Sequence, residues 1–337
     1  MMQAWVTTPT QFYVLRFLLG AFEAGFYPGV ILYLTYWYPS QRRAKAFGTF
    51  MSASAIAGVL GGPIAGWIMT SMGGVQGWHG WQWLFVLEGI PSVLAGIFAW
   101  FYMTDRPEQA RWLSDDEKKV VRHELELDNR RQGERGSDWR RLFTNPKVWL
   151  LIAIFFCLLC ANSTLTFWIP TVIKETGFTT PMAIGWIAGA AYLFGAAGMI
   201  LNGRNSDRRG ELRWHFSAAA MCGAGGMLLL AVALGVPGLP AFVPLLAMGL
   251  ALVGTMSAIP VFWQFPNLFL SGGAAAVGVA LINSISNLAG FGAPYAMGLI
   301  KNATGHVAPG LYLVAFIELL AAVLVIVFIA RRPARQA

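Results

Sequence analysis

Charge is scarce in this sequence, and so are cysteine and histidine. Only 12% of the 337 residues are charged, against roughly 25% in an ordinary water-soluble domain. Three cysteines exclude a disulfide-stapled secreted fold. Cys157 and Cys160 sit in an apolar run with no His or further Cys spaced to complete a zinc site, so no metal is expected. The histidines at 79, 123, 215 and 306 are scattered through connections and helix ends. They build no nucleophile–base constellation, so no catalytic residue is named and no enzyme is expected. A phosphate-cradling Gly-rich loop is missing, which excludes ATP-driven transport; no cofactor is expected. Nor is there a filter-like repeat or a ring of charge to suggest a channel.

What is present is apolar side chain: 56% hydrophobic residues, with 38 Gly, 23 Phe and 14 Trp. A soluble fold cannot hide that much, so the expected solvent is lipid. Nine apolar stretches are long enough to cross ~30 Å of hydrocarbon as helices: 11–38, 44–69, 82–103, 148–170, 182–203, 214–235, 240–270, 274–300 and 309–330. Turn signals separate them at Tyr38-Pro39-Ser40, Gly73-Gly74, Thr180-Pro181, Val236-Pro237-Gly238, Ser271-Gly272-Gly273 and Ala308-Pro309-Gly310. The predicted class is an all-α membrane protein.

The net charge of +8 could suggest nucleic acid, but its distribution points to a bilayer. Alternate connections hold Arg42, Arg43 and Lys45, then eleven Lys/Arg from Arg106 to Lys147, then Arg204, Arg208, Arg209 and Arg213, and finally Arg331, Arg332 and Arg335. The opposite connections hold only Lys174 and Lys301. The basic side is therefore expected to be cytoplasmic, and no nucleic-acid partner is expected. Aromatic belts agree, with Tyr36-Trp37-Tyr38 at one boundary and Trp78, Trp81 and Trp83 at the other. The one long polar segment carries a capping box, Ser114 with Glu117, with Asp115 and Asp116 in the first turn. It predicts a surface helix that stops at Gly133.

Motifs narrow the class. Arg16-Phe17-Leu18-Leu19-Gly20 with Glu23-Ala24-Gly25 and Pro28-Gly29 resembles the fourth-helix signature of the major facilitator superfamily. Gly58, Gly61-Gly62-Pro63 and Gly66 resemble its fifth-helix Gly-Pro motif, and Gly203-Arg204-Asn205-Ser206-Asp207-Arg208-Arg209-Gly210-Glu211 looks like its cytoplasmic loop motif. Family members carry that loop once per half, whereas it occurs here once. The chain is thus expected to match helices 4–12 of a twelve-helix transporter and to lack the first three. The implied organisation is a partial N-terminal lobe of three transmembrane helices over 1–104, a cytoplasmic connector with an amphipathic helix over 105–147, and a C-terminal six-helix lobe with a short basic tail over 148–337.

Tyr33-Leu34-Thr35-Tyr36-Trp37-Tyr38-Pro39, Trp81-Gln82-Trp83-Leu84-Phe85 with Glu88-Gly89-Ile90-Pro91, Asp105-Arg106-Pro107, Arg111-Trp112-Leu113-Ser114, Phe167-Trp168-Ile169-Pro170 and Asn283-Ser284-Ile285 running to Asn287-Leu288-Ala289-Gly290 are similar to the anion:cation symporter family, its bacterial tartrate- and phthalate-type permeases above all. That resemblance implies a multi-pass protein of the bacterial inner membrane. It implies uptake of a small organic anion, tartrate-like first, with protons as the coupling partner, by alternating access through a cavity between two lobes.

Site candidates follow. Arg16 and Glu23 are seven positions apart, which places them on nearly one helical face, ~10 Å apart along the axis. A charge in a membrane helix is costly enough to demand a polar cavity. Arg16 holds its proton and suits a carboxylate, while Glu23 can release one, so substrate binding is assigned to the first and proton coupling to the second. The plainer reading is a static pair anchoring this helix near Pro28. Asn283, Ser284 and Asn287 lie on a Gly-rich helix, and two Asn at i, i+4 share a face that can donate to a carboxylate; interhelical bonding is the alternative. Asn162 and Trp168, with Thr164, are further candidates to line the path, as are Gln264 and Asn267. Asp207 with Arg208 is read as a cytoplasmic gate, and Glu88 and Glu318 as packing residues. The rival function is a non-transporting membrane protein without a complete substrate cavity.

Overall fold

A computed structural model describes residues 1–23, 25–133, 140–270 and 273–329. Among them the chain is helical, with no strand. Ala24, Arg135, the turn residues Ser271 and Gly272, and the basic tail with Arg331, Arg332 and Arg335 lie outside the described residues. The chain divides into two compact units, residues 1–57 with 63–135 and residues 58–62 with 136–337.

A 3₁₀ turn at Met2–Trp5 opens the first unit and leads to α1 (Pro9–Glu23), α2 (Phe26–Trp37), α3 (Ser40–Ser71), α4 (Gly80–Tyr102) and α5 (Asp115–Gly133). The stretch predicted as one span over 11–38 is two helices of 15 and 12 residues. Gly25 is the N-cap of α2, and Pro28, in its first turn, lacks the amide hydrogen that would continue the α1 ladder.

The ends of this unit are pinned by aromatic groups. At one end Trp5 stands edge-on to Trp78 at 5.6 Å, and Trp78 meets Trp83 at 5.3 Å. Gln82 accepts the His79 amide at 2.9 Å and donates to the Ala4 carbonyl at 2.7 Å. At the other end Tyr33 Oη donates to the Thr104 carbonyl at 3.1 Å, the Arg106 guanidinium lies 5.3 Å from the Tyr36 ring, and Trp37 stacks on Trp112 at 5.6 Å. The predicted capping box forms as well. Ser114 donates its amide and hydroxyl to Glu117 Oε2 at 2.8 and 2.9 Å, which holds the Glu117 carboxyl below the ordinary carboxylate range.

The second unit contains α6 (Arg140–Thr144), α7 (Pro146–Glu175), α8 (Pro181–Arg209), α9 (Arg213–Gly235), α10 (Phe242–Phe262), α11 (Pro266–Phe269), α12 (Gly273–Ser286), α13 (Ala289–Thr304) and α14 (Ala308–Phe328). Asn145 caps α7 through its side chain, which accepts from the Lys147 amide at 3.0 Å. α7 packs against α8, α10, α12, α13 and α14, while α9 packs against α10 and α14. One buried cluster gathers Phe155, Phe216, Phe262 and Phe265, with Phe155 stacked on Phe262 at 4.4 Å. A second gathers Ile169, Ile173, Met227, Leu230, Met248 and Leu311.

Seven spans among the described residues are long and apolar enough to cross a membrane, with α12 and α13 counted together from Val277. α3 adds a shorter apolar run, Ile56–Ser71. α8 is 29 residues long, about 44 Å at 1.5 Å per residue, and so exceeds the bilayer core. The segment expected to be a loop over 203–211 is helix as far as Arg209. Nothing before Gly210, at φ +60°, breaks the ladder, and Arg208 and Arg209 suit the negative end of the helix dipole.

Candidate functional site

Arg16 and Glu23 both lie on α1, Glu23 as its last residue, and both are exposed. The Arg16 guanidinium rests 5.1 Å from the Phe12 ring centroid. Among the described ion pairs none joins it to Glu23 or to any other carboxylate. A static Arg–Glu anchor is therefore absent from α1, and the cation is left with an aromatic face as its neighbour.

The polar candidates of the second unit meet at a helix break. α12 ends at Ser286, Asn287 and Leu288 form a turn, and α13 begins at Ala289. The expected shared face of Asn283 and Asn287 is present, but the two are engaged with each other. Asn287 Nδ2 donates to the Asn283 carbonyl at 2.7 Å and to Asn283 Oδ1 at 3.0 Å. This side chain competes for the acceptor that the helical ladder uses, and Gly290, Gly292 and Pro294 just beyond weaken the continuation. Asn283 Nδ2 has no hydrogen-bond acceptor among the described residues. Asn283 is half-buried, while Ser284 and Asn287 are exposed.

The break stands against α7. A Cβ placed on Gly290 would lie 3.7 Å from Ser163 Oγ, next to the half-buried Asn162. The Asn162 carbonyl accepts from Thr166 Oγ1 at 2.8 Å, and Tyr192 Oη of α8 donates to Thr166 Oγ1 at 3.4 Å. Ser163, Thr166 and Tyr192 thus join Asn162 in a polar strip that sequence reasoning had drawn from Asn162, Thr164 and Trp168. Isolated hydroxyls in an apolar helix gave no signal of which face they occupied. Thr164 is fully buried, with no hydrogen-bond partner for its hydroxyl among the described residues.

Trp168, half-buried, sits farther along α7. Lys301 Nζ lies 5.5 Å from its ring and pairs with Glu175 at 3.0 Å. Trp168 is therefore drawn into the contact between α7 and α13. Sequence reasoning had used Lys301 only as a marker of sidedness.

The expected gate also differs in its partners. Asp207 accepts from Gln264 Nε2 at 2.9 Å rather than pairing with Arg208, which is exposed. Adjacent residues on a helix point in different directions, so a neighbour in sequence is a poor ion-pair partner. Beside this contact, Glu211 gathers the Trp214 and His215 amides at 2.8 and 3.2 Å and His215 Nδ1 at 2.9 Å. Burial raises its affinity for a proton, but those hydrogen bonds win and hold the carboxyl below the ordinary range. The Asn267 side chain lies outside what is described.

A hollow of about 420 Å³ in the first unit lies elsewhere, between the N-terminal segment, α1 and α4. Gln3, Thr7, Thr8, Tyr13 and Trp81 bring polar groups to its lining, which includes no charged residue.

The sequence profile described as the Major Facilitator Superfamily matches residues 1–294. A protein from Agrobacterium vitis named "Putative tartrate transporter" is 40% identical over 332 residues, covering 98% of this chain and 75% of that protein. The "Quinolone resistance transporter" of Acinetobacter baumannii is 35% identical, covering 98% of this chain and 75% of that protein. The "Inner membrane transport protein RhmT" of Escherichia coli is 34% identical, covering 99% and 76%. Among solved structures, the partially occluded inward-open xylose transporter XylE from E. coli aligns with a TM-score of 0.68 at 15% identity, covering 91% of this chain and 68% of that one. That likeness concerns the fold.

Proposed function

The chain belongs to the major facilitator superfamily, a family of membrane transporters and not of enzymes, and from that premise we propose that it carries small organic carboxylate anions, tartrate-like ones first, by proton symport with alternating access. It is a multi-pass membrane protein whose bacterial relatives include one named for the inner membrane.

The observation that carries the anion reading is Arg16. It is a permanent cation within an apolar helix, with no carboxylate partner among the described residues. Such a charge is tolerated in a membrane protein when a polar path and a counter-ion serve it. In this reading the incoming carboxylate is that counter-ion. Within the second unit, Asn283, Ser284, Asn287, Asn162 and Trp168 are the neutral groups this reading offers to substrate. The backbone bonds tighten locally to i→i−3 at the turn between α12 and α13, an irregularity that often marks a functional hinge in a helix. Glu23 takes the proton. The name of the Agrobacterium relative favours tartrate among carboxylates. The basic connections, including α5 and the Asp207–Gln264 contact, face the cytoplasm.

Uptake of labelled tartrate into proteoliposomes, driven by an imposed pH gradient, tests this reading. Accumulation is expected, with loss of substrate binding in Arg16→Ala. Glu23→Gln is expected to lose uphill accumulation while it keeps exchange. Undiminished binding by Arg16→Ala removes that residue from the site, and undiminished uphill uptake by Glu23→Gln removes the coupling role. Absence of any transport leaves the rival, non-transporting reading. Sidedness is checked by labelling Glu124→Cys and Asn302→Cys in whole cells: reagent reaching Glu124→Cys from outside overturns the orientation.

A further inference from the structure

Glu318 lies midway along α14, a helix otherwise free of charge from Ala308 to Phe328. It has no exposed surface. Three helices close around its carboxyl. From α10, Thr255 Oγ1 donates to Glu318 Oε1 at 2.8 Å. From α9, Gly223 leaves the necessary room: a Cβ there would stand 2.5 Å from Oε1 and 2.8 Å from Thr255 Oγ1. α9 and α10 are in direct backbone contact at this level, since a Cβ on Gly254 would overlap the Gly223 backbone. The other carboxyl oxygen, Oε2, is buried with no hydrogen-bond partner among the described residues.

No described ion pair includes Glu318. The titratable groups on the helices packed against it supply no cation. α10 carries none. α9 offers Cys222 nearby, and its Arg213 and His215 are committed to the Ile326 carbonyl and to Glu211. α7 offers Cys157 and Cys160 in its interior, with Lys147, Lys174 and Glu175 at its ends, and α13 offers Tyr295 and Lys301, the latter paired with Glu175. A bare carboxylate at such a place bears a desolvation cost that only a cation or several donors can offset, whereas the neutral acid does not.

We propose that Glu318 is a resident proton-binding site: a neutral carboxylic acid whose Oε1 accepts from Thr255, whose proton sits on Oε2, and which fills the glycine-cleared junction of α9, α10 and α14. This assignment stands apart from the coupling role given to Glu23, because Glu318 keeps its proton.

Infrared difference spectroscopy on the purified full chain in lipid tests it. Wild type minus Glu318→Gln is expected to show the carbonyl stretch of a protonated carboxylic acid at neutral pH. In Thr255→Val that stretch is expected at higher frequency, because the carbonyl oxygen has lost its donor. Glu318→Gln, which stays neutral and polar, is expected to unfold at the wild-type temperature, while Glu318→Ala unfolds about 5 °C lower. Absence of the acid band in the wild type overturns the proposal, as does a band that Thr255→Val leaves unmoved. A loss of stability in Glu318→Gln as large as in Glu318→Ala overturns it too.

Discussion

In the second unit each long helix from α7 to α10, and α14, buries side chains against its neighbours, whereas α1 and α4 of the first unit bury none. Trp100 and Phe101 on α4 are each 83% exposed. α4 is as apolar as the long helices of the second unit. In lipid an apolar side chain gains little by turning toward another helix, and close approach through small residues decides which helices pack. Gly223, Gly226 and Gly254 put α9 against α10 backbone to backbone. In the first unit the contacts sit at the helix ends, in the Trp5–Trp78–Trp83 and Trp37–Trp112 groups.

The comparison breaks most visibly at the glycines. Gly254→Ala is expected to destabilise the protein by about 3 kcal/mol or more, because its methyl meets backbone that cannot swing aside. Gly96→Ala on α4, where no heavy atom lies within 4 Å of the new methyl, is expected to stay within about 0.5 kcal/mol of the wild type. Thermal unfolding in detergent measures both, and equal effects would remove the distinction drawn here. Trp112→Ala removes the stack on Trp37 at a cost of about 1 kcal/mol. Its mark is faster hydrogen exchange over 103–118, with α9 and α10 unchanged; an acceleration spread over both units would mean that the clasp is not local.

Much of this architecture was legible beforehand. Ser114 and Glu117 announce α5 because a cap is made by residues three apart, and the Trp78–Trp83 group is a local sequence cluster. The shared face of Asn283 and Asn287 follows from helical period alone. The break beside them does not, since apolar residues resume directly at Leu288 and Ala289. The same blindness joined α1 to α2 across Gly25. The basic run from Gly203 to Arg209 looks like a loop because charge leaves the membrane there, yet a helix leaves the membrane just as readily. Thr255 as the partner of Glu318, and Gln264 as the partner of Asp207, are tertiary facts, separated by 63 and 57 positions.

The smallest expected effect concerns acidity. The Glu211 carboxyl is held below the ordinary range, so the stability it contributes is present above the usual carboxylate pKa of ~4.3 and is lost as pH falls through its lowered value. Acidification is expected to loosen the turn between α8 and α9, seen as faster exchange of the Trp214 and His215 amides. Glu211→Gln is expected to abolish that pH step, and a step that persists in the variant would assign it to another group.

The junction around Glu318 also bears on the order in which the protein assembles. α9 and α10 are joined by a short connection, so the ribosome delivers both faces of their glycine crossing in quick succession. Glu318 reaches the bilayer later, with α14. Until then the Thr255 hydroxyl can turn back to a carbonyl of its own helix, as Thr166 does to Asn162. Docking of α14 turns that hydroxyl to Glu318 and closes the cleft in one step.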